Sequence, residues 1–187
     1  MKRLFPALLL TFSLFGHSTA WWTGAHDILT VAAVQATPEV PDFFKNGEAF
    51  ISHMVYDPDV VKNYGTPSLR EAEYGEHFAD LELIEGKPLP ARRYAFIRLC
   101  DSLGVEPEKV GLVPYALAEW TERLAVAFAE HRKWPKNPFI QAKCQVFAGI
   151  LAHYAQDASQ PLHLTIHYNG RKLPDGSVEQ KGIHAKV

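Results

Sequence analysis

Apolar side chains recur at three- and four-residue steps through most of the chain after its first twenty residues. Residues 107–133 show this clearly, with Leu117, Trp120, Leu124 and Phe128 on one helical face. Such spacing predicts amphipathic helices, whereas no convincing two-residue alternation predicts a sheet. We therefore expect one all-α domain. The predicted helices cover residues 24–35, 43–55, 69–83, 92–102, 107–133 and 138–157.

Proline and glycine divide these predicted helices. Pro138 is expected in the first turn of the helix over 138–157, where its missing N–H is not needed. Residues 57–68 contain proline, glycine and asparagine and are predicted to interrupt the helical pattern. Proline, glycine and polar residues also dominate residues 160–182, so an irregular loop is expected there.

The first twenty residues have the organisation of a secretory signal peptide. Two basic residues precede an apolar run over residues 4–15, and small residues lead up to Ala20. Cleavage is predicted between Ala20 and Trp21, which leaves a mature domain of residues 21–187. A membrane anchor is the alternative, but the run is shorter than the roughly 20 residues that span a bilayer. The protein is therefore expected to be exported, either to the periplasm or out of the cell.

Composition argues against a broad electrostatic interaction with duplex nucleic acid. The formal net charge is −2 and the isoelectric point is about 6.5, so an anionic substrate must be held by local groups.

Cys100 and Cys144 either form one disulfide in an oxidising compartment or remain two buried thiols, and both alternatives stay open. Histidine is the unusual component, with nine residues in the chain.

A histidine and a carboxylate lie four residues apart, at His153 and Asp157, so both project from one face of a predicted helix. Such a pair supplies half of a zinc site, although taken alone it is more often an ordinary contact. What favours the metal is the number of histidines that follow in a short stretch. They are His163, His167 and His184.

The predicted mature N-terminus adds a second group of ligands. Cleavage would expose the α-amino group of Trp21, whose pKa of about 7.7 allows a metal to deprotonate it. Together with the Trp21 carbonyl and His26, it would form a compact ligand set; the alternative is that Trp21 is an apolar anchor. Central segments containing Asp57, Asp59 and His77 offer more carboxylate and imidazole groups.

Together these segments resemble the superfamily of tri-zinc phosphodiesterases, which contains single-strand-specific fungal and plant nucleases and bacterial zinc phospholipases C. The most specific part of the resemblance runs from His153 to His163 and reads His-Tyr-Ala-Gln-Asp followed by Gln-Pro-Leu-His. The resemblance extends over essentially the whole mature chain. It implies an all-α fold and three bound zinc ions.

The resemblance also implies which residues hold each zinc ion. Asp157 would bridge the first and second ions. The third would need a carboxylate beyond Val187, so either the chain is a fragment, with its domain truncated at the C-terminus, or its third site is incomplete. The implied ligands are Asp59, His77, His153 and Asp157 for the first ion, Trp21, His26 and Asp157 for the second, and His163 and His184 for the third.

Further roles follow from the same resemblance. Asp59 is preferred over Asp57 as the ligand, because the Val-Val-Lys after it matches the family, and it would orient or deprotonate the attacking water. Lys62 would contact the phosphate. Phe78 and Asp80 resemble a base site in which a ring stacks on a nucleobase and a carboxylate accepts its hydrogen bonds; core packing is the alternative for Phe78.

The function expected from the resemblance is an exported zinc-dependent endonuclease that hydrolyses phosphodiester bonds of single-stranded DNA and RNA. The spacing from Trp21 to His26 favours this nuclease branch. The alternatives are a zinc-dependent phospholipase C and a catalytically inactive zinc-binding relative. Single-stranded nucleic acid or phospholipid is thus the expected partner, and no stable protein partner is implied.

Overall fold

The structure, a computed structural model, describes residues 23–186. The predicted signal peptide over residues 1–20 and the predicted ligand Trp21 lie outside the described residues. The described chain is mostly helical, which confirms the all-α prediction. Its α-helices are α1 Thr23–Ala36, α2 Asp42–Asn46, α3 Glu48–Met54, α4 Asp57–Tyr64, α5 Pro67–Tyr74, α6 Arg93–Leu103, α7 Pro107–Val110, α8 Val113–Lys133 and α9 Pro138–Ser159.

Short elements connect these helices. Single 3₁₀ turns follow α5 and α9, and a two-stranded antiparallel hairpin lies within the segment predicted to be irregular. The hairpin pairs Arg171 with Glu179 and Lys172 with Val178. The 3₁₀ turns cover Gly75–His77, Leu81–Ile84, Pro161–Leu164 and Ile183–Ala185, and the strands are β1 Arg171–Lys172 and β2 Val178–Glu179.

Helix α9 is the centre of the packing. It lies against α8 along much of its length and against α1 and α3. Asn137 caps its first turn by accepting a hydrogen bond from the Phe139 amide, and Pro138 occupies that turn as predicted. Its residues Ala148 and Ile150 contribute to two separate hydrophobic clusters. The helix that carries His153 and Asp157 is therefore held between other helices.

The two cysteines are not bonded to each other in this fold. Cys100 lies in a cluster with Phe96 and Val110, and Cys144 lies in another with Ala127 and Ile140. Both are buried and free. Of the two alternatives that the sequence left open, the structure has buried thiols, and burial raises the pKa of each.

Three predicted helices are divided in the structure. The one predicted over residues 69–83 ends as α5 at Tyr74 and is followed only by two 3₁₀ turns, and the other two are each divided at a glycine. Gly47 separates α2 from α3, and the Gln145 side chain of α9 fills the space beside it while donating a hydrogen bond to the Phe43 carbonyl. Gly111 separates α7 from α8 with a φ of +95°, a conformation that disfavours residues with a Cβ. Tertiary contacts at these two glycines thus override the continuous apolar pattern.

The predicted break over residues 57–68 was wrong, because residues 57–64 form α4. Pro58 lies in the first turn of that helix, where proline is tolerated, and Pro67 begins α5 in the same way. The prolines start helices here rather than interrupting one. This correction matters for the site, because it places Asp59 and Lys62 one turn apart on a regular helix.

Across residues 23–186, no helix has both the length and the apolar character required to cross a membrane.

Gly111 provides a test of this packing. A Cβ at this position would lie 2.1 Å from the Phe78 carbonyl oxygen, so we expect Gly111→Ala to lower the free energy of unfolding by about 3 kcal/mol or more, through strain and overlap together. The control is Gly104→Ala, where φ is +68° but no atom lies within 4 Å. Urea denaturation should show a loss of about 1 kcal/mol for the control. Equal losses would contradict the close approach.

Candidate metal centre

Asp157 is the residue around which the site is built. Its side chain is 2% exposed and projects from α9 into a group of four histidine rings. Oδ1 lies 3.7 Å from His26 Nε2 and 3.6 Å from His163 Nδ1. Oδ2 lies 3.0 Å from His77 Nδ1 and 3.2 Å from His153 Nε2. One carboxylate thus faces imidazoles from four separate parts of the chain.

Two overlapping sets of these side chains have donor atoms close enough to hold a metal ion, namely His26 with His153 and Asp157, and Asp59 with His77 and His153. Within each set the donor atoms lie within 4.8 Å of one another. Asp59 Oδ1 is 3.9 Å from His77 Nδ1 and 4.0 Å from His153 Nε2. Buried histidine and aspartate side chains could therefore hold a metal ion here, and His153 belongs to both sets.

The backbone brings these ligands together from distant elements. His26 lies in the first part of α1 and Asp59 in the first turn of α4. His77 ends the 3₁₀ turn after α5, and its segment is held on both sides because the Ala79 amide donates to the His163 carbonyl and the Asp80 amide donates to the Val110 carbonyl. The positions of the ligands therefore depend on tertiary structure.

Hydrogen bonds fix the orientation of the histidine rings. His153 donates from Nδ1 to the Val55 carbonyl at 2.9 Å, so only its Nε2 faces the cluster and it can serve one ion. Nδ1 of His163 donates to the His77 carbonyl at 2.6 Å. His26 Nδ1 is held by Gln156 at 2.5 Å. Such contacts set ring orientation in metal sites.

Gln156 is itself held in place, because its amide donates to the Thr30 hydroxyl at 2.8 Å. This hydrogen bond links α9 back to α1, the helix that carries His26. The amide oxygen of Gln156 therefore remains directed at the His26 ring.

Burial and local charges favour the metal-binding forms of Asp157, Asp59 and His26, whereas for His77 the contacts with Asp157 and Glu73 outweigh burial and raise the pKa. Burial tends to raise the pKa of Asp157, but hydrogen bonds from His153 and His77 outweigh it and hold that pKa well below its usual range. The pKa of Asp59 is also lowered, because Lys62 and the nearby histidines outweigh the effect of burial. Burial lowers the pKa of His26. Ionised carboxylates and a neutral imidazole are the ligand forms of these residues.

The proposed third pair of ligands is also brought together. His184 Nε2 lies 3.3 Å from His163 Nε2, and the two ring centroids are 5.2 Å apart. Burial and the neighbouring His163 lower the pKa of His184 to about 4. The Tyr168 ring contacts His184 edge-on. The carboxylate expected beyond Val187 lies outside the described residues.

The cluster opens into a cleft with a volume of about 460 Å³. Lys62 Nζ lies in this cleft, 2.5 Å from Asp59 Oδ1 and 3.4 Å from His77 Nδ1. Phe78 is half-buried on the cleft wall and its ring contacts the exposed Tyr74 edge-on at 5.6 Å. An ammonium group and aromatic rings thus surround the same space as the candidate ligands.

Asp80 also lines the cleft and is half-buried. Burial and the neighbouring carboxylate of Glu82 raise its pKa. Its position is compatible with a polar contact to a bound molecule.

Most of the residues predicted for the site lie together in the structure. Asp57, the alternative to Asp59, is exposed on the outer side of α4, whereas Asp59 faces the cluster. His153 is buried and contacts Asp157 without lining the cleft, and the predicted ligand Trp21 lies outside the described residues. The predicted residues that line the cleft are His26, Asp59, Lys62, His77, Phe78, Asp80, Asp157, His163 and His184.

The other described histidines match no ligand that the resemblance implies, and they have other surroundings. His53 is exposed. The His131 ring packs against Phe43 with the centroids 4.7 Å apart. His167 accepts a hydrogen bond from the Lys172 amide at 3.0 Å.

The sequence did not indicate three residues that support the ligands. They are Gln156, which holds His26, and the pair of Glu73 and Tyr154. Glu73 lies four residues before His77, and residues at this spacing are neighbours on one face of a helix. The spacing could have indicated their contact only if the helix were known to continue into the 3₁₀ turn. Gln156 and Tyr154 lie within the His-Tyr-Ala-Gln-Asp motif, but their roles depend on long-range contacts that the motif does not specify.

Comparisons of the chain with protein-family models, with curated proteins and with solved structures found no significant match. The class that the fold and the site define is a helical protein with buried histidine and aspartate groups that could hold a metal ion.

The shared position of Asp157 leads to a direct prediction about metal binding. Asp157→Asn removes the carboxylate charge of the set with His26 and His153, and Oδ2 of the same carboxylate lies 3.0 Å from His77 Nδ1 of the other set. We therefore expect zinc affinity, measured by competition with a chromophoric chelator, to fall at least about 100-fold. The matched control is Asp101→Asn, the same change at an exposed position on α6, which should bind zinc as the wild type does. Unchanged affinity in Asp157→Asn would rule out Asp157 as a shared ligand.

Proposed function

We propose that this protein is an exported, zinc-dependent phosphodiesterase that hydrolyses single-stranded DNA and RNA. The observation that carries the proposal is the Asp157 carboxylate, which lies among histidines of two candidate metal sets at the floor of a cleft. The resemblance of the chain's motifs to the tri-zinc phosphodiesterases supports the same function. Export is proposed from the signal-peptide pattern of residues 1–20.

The donor set fits zinc. Imidazole nitrogens and carboxylate oxygens are zinc's usual ligands when cysteine is absent, and the described cluster offers several of each. Magnesium and calcium prefer sites made of oxygen atoms, which a cluster rich in histidine does not supply. The proposed ligands are His77, His153, Asp59 and Asp157 for one ion and His26, Asp157 and Trp21 for another, with His163 and His184 toward a third.

Bound zinc would supply Lewis acidity, which activates water and polarises a phosphoryl oxygen. The chain's own groups have complementary tasks. Asp59, ionised because Lys62 and the histidines lower its pKa, can orient a water molecule and accept its proton. Lys62 can balance negative charge on the phosphate with its ammonium group, as a point charge.

The cleft wall supports a preference for unpaired bases. The half-buried ring of Phe78, with Tyr74 beside it, provides a surface on which a nucleobase can stack, and stacking requires a base that is not paired. Asp80 can accept hydrogen bonds from an exocyclic amino group. Because the chain has a formal net charge of −2, contacts within the cleft rather than a broad basic field would hold the substrate.

A phospholipase C activity is the second candidate. The cleft is also lined by Leu162 and Tyr168, so aromatic and aliphatic groups are available for a phospholipid with a cationic headgroup. The metal site would be the same for both substrates. A zinc-binding protein without catalysis is the third alternative.

Activity assays separate these alternatives. The zinc-loaded protein should release nucleotides from single-stranded DNA and RNA much faster than from duplex DNA. We expect Asp59→Ala to lower kcat by about 10²-fold or more, because the variant loses both a metal ligand and the group that handles the proton. Asp57→Ala, the same change at an exposed position two residues away, should retain most of the activity.

A phosphatidylcholine emulsion serves as the competing substrate. Cleavage of this lipid without nucleotide release would favour the phospholipase. If zinc binds and no substrate is turned over, both enzyme functions are wrong. Equal activity of the Asp59 and Asp57 variants would contradict the proposed role of Asp59.

A further inference from the structure

We propose that Glu73 and Tyr154 are positioning residues that orient His77 and make the ligand set of Asp59, His77 and His153 the tighter of the two candidate metal sets. The inference deepens the proposed function and rests on its metal-binding part. It does not depend on which substrate is hydrolysed.

His77 has two ring nitrogens in different surroundings. Nδ1 faces the cluster, 3.0 Å from Asp157 Oδ2 and 2.9 Å from His153 Nε2. Nε2 points the other way, is buried, and has no hydrogen-bond partner of suitable geometry among residues 23–186. The ionic partner of Nε2 is Glu73 Oε1 at 3.4 Å. Glu73 is therefore in position to accept a hydrogen bond from Nε2–H after a small rotation of the ring.

Glu73 is held in this position from the opposite side. The Tyr154 hydroxyl donates a hydrogen bond to Glu73 Oε1, the same oxygen that faces His77. Tyr154 is 3% exposed and lies on α9 next to His153, so its ring cannot move freely. Since Glu73 belongs to α5, the hydrogen bond connects the helix before His77 to the helix that carries two other ligands.

His77 differs in this respect from the neighbouring histidines. The outer nitrogens of His153 and His163 meet backbone carbonyls, and Nδ1 of His26 meets the uncharged amide of Gln156. Within residues 23–186, His77 has a carboxylate on its outer side. A carboxylate that accepts the outer N–H strengthens the imidazole as a metal ligand more than a neutral acceptor does. The set that contains His77 should therefore bind its ion more tightly.

A purely structural role of Glu73 and Tyr154 predicts different effects on stability and on zinc affinity. If the Tyr154–Glu73 hydrogen bond only held α5 against α9, its loss would destabilise the metal-free protein and leave the zinc affinity of the folded protein unchanged. If it acts through His77, zinc affinity should change even in a variant that folds normally. Affinity and metal-free stability must therefore be measured separately.

The experiment measures binding of zinc alone to the full chain by competition with a chromophoric chelator. We expect Glu73→Gln to weaken the tightest zinc site by about 10- to 100-fold. Tyr154→Phe should weaken it less, and in the Glu73→Gln background it should have no added effect, because it acts through Glu73. The control Glu71→Gln makes the same change at an exposed position on α5 and should bind as the wild type does.

A spectroscopic signal identifies the affected site. With cobalt in place of zinc, the visible absorption bands of the tightest site should shift in Glu73→Gln and Tyr154→Phe and stay unchanged in Glu71→Gln. Thermal unfolding of each metal-free variant gives the structural contribution. If Glu73→Gln is too unstable to purify, Tyr154→Phe decides the question, because it removes one oxygen atom and keeps the ring.

The outcomes distinguish this inference from the proposed function. Zinc affinity and cobalt bands that match the wild type in both variants would overturn the positioning role while leaving a zinc enzyme intact. A fall in metal-free stability with unchanged affinity would assign these residues a structural role. If the wild-type chain binds no zinc, the proposed function and this inference are both wrong.

Discussion

Burying the Asp157 carboxylate is the constraint on which the rest of the site depends. An ionised carboxylate at 2% exposure is strongly unfavourable unless donors or positive charge surround it. Here the surrounding groups are imidazoles on four sides, and they lower its pKa well below the usual range. A divalent cation held between these groups would compensate the charge more completely. The energetics of the buried aspartate and the chemistry of a metal site therefore favour the same arrangement.

The fold meets this constraint through α9 and the segments packed around it. Helix α9 places His153 and Asp157 one turn apart in the interior, between α8 and the pair of α1 and α3. The segment over residues 75–80 is held by backbone hydrogen bonds from both sides, which brings His77 to the same carboxylate. Residues far apart in sequence thus converge because the segments that carry them pack around α9.

How much was predictable from the sequence depends on the range of the interaction. The i,i+4 pair of His153 and Asp157 is a local pattern on a strongly periodic helix, so the sequence indicated it directly. The local pattern failed at residues 57–68, where Pro58 predicts a break in the helix although it lies in the first turn of α4. The predicted helix over residues 107–133 is divided at Gly111, where the backbone lies close to the carbonyl of a residue distant in sequence. Hydrophobic periodicity carries no information about such a contact.

Supporting residues were the least predictable part of the site. Glu73 lies one helical turn before His77, but its role depends on the Tyr154 hydroxyl of α9. The tertiary structure brings that hydroxyl to α5, and local sequence does not specify the contact. Gln156 directly precedes Asp157 in sequence, yet its contact with His26 joins α9 to α1. Sequence patterns can thus identify metal ligands by residue type and spacing, whereas the groups that orient them become visible only in the folded structure.

The central claim is that Asp157 is shared between two metal ions. Anomalous X-ray scattering at the zinc edge, measured on crystals of the zinc-loaded protein, tests this most directly. The account predicts two strong peaks on either side of the Asp157 carboxylate, about 3.5–4 Å apart, one beside His77 and Asp59 and the other beside His26. The absence of zinc from this cluster, or a single ion in place of two, would contradict it.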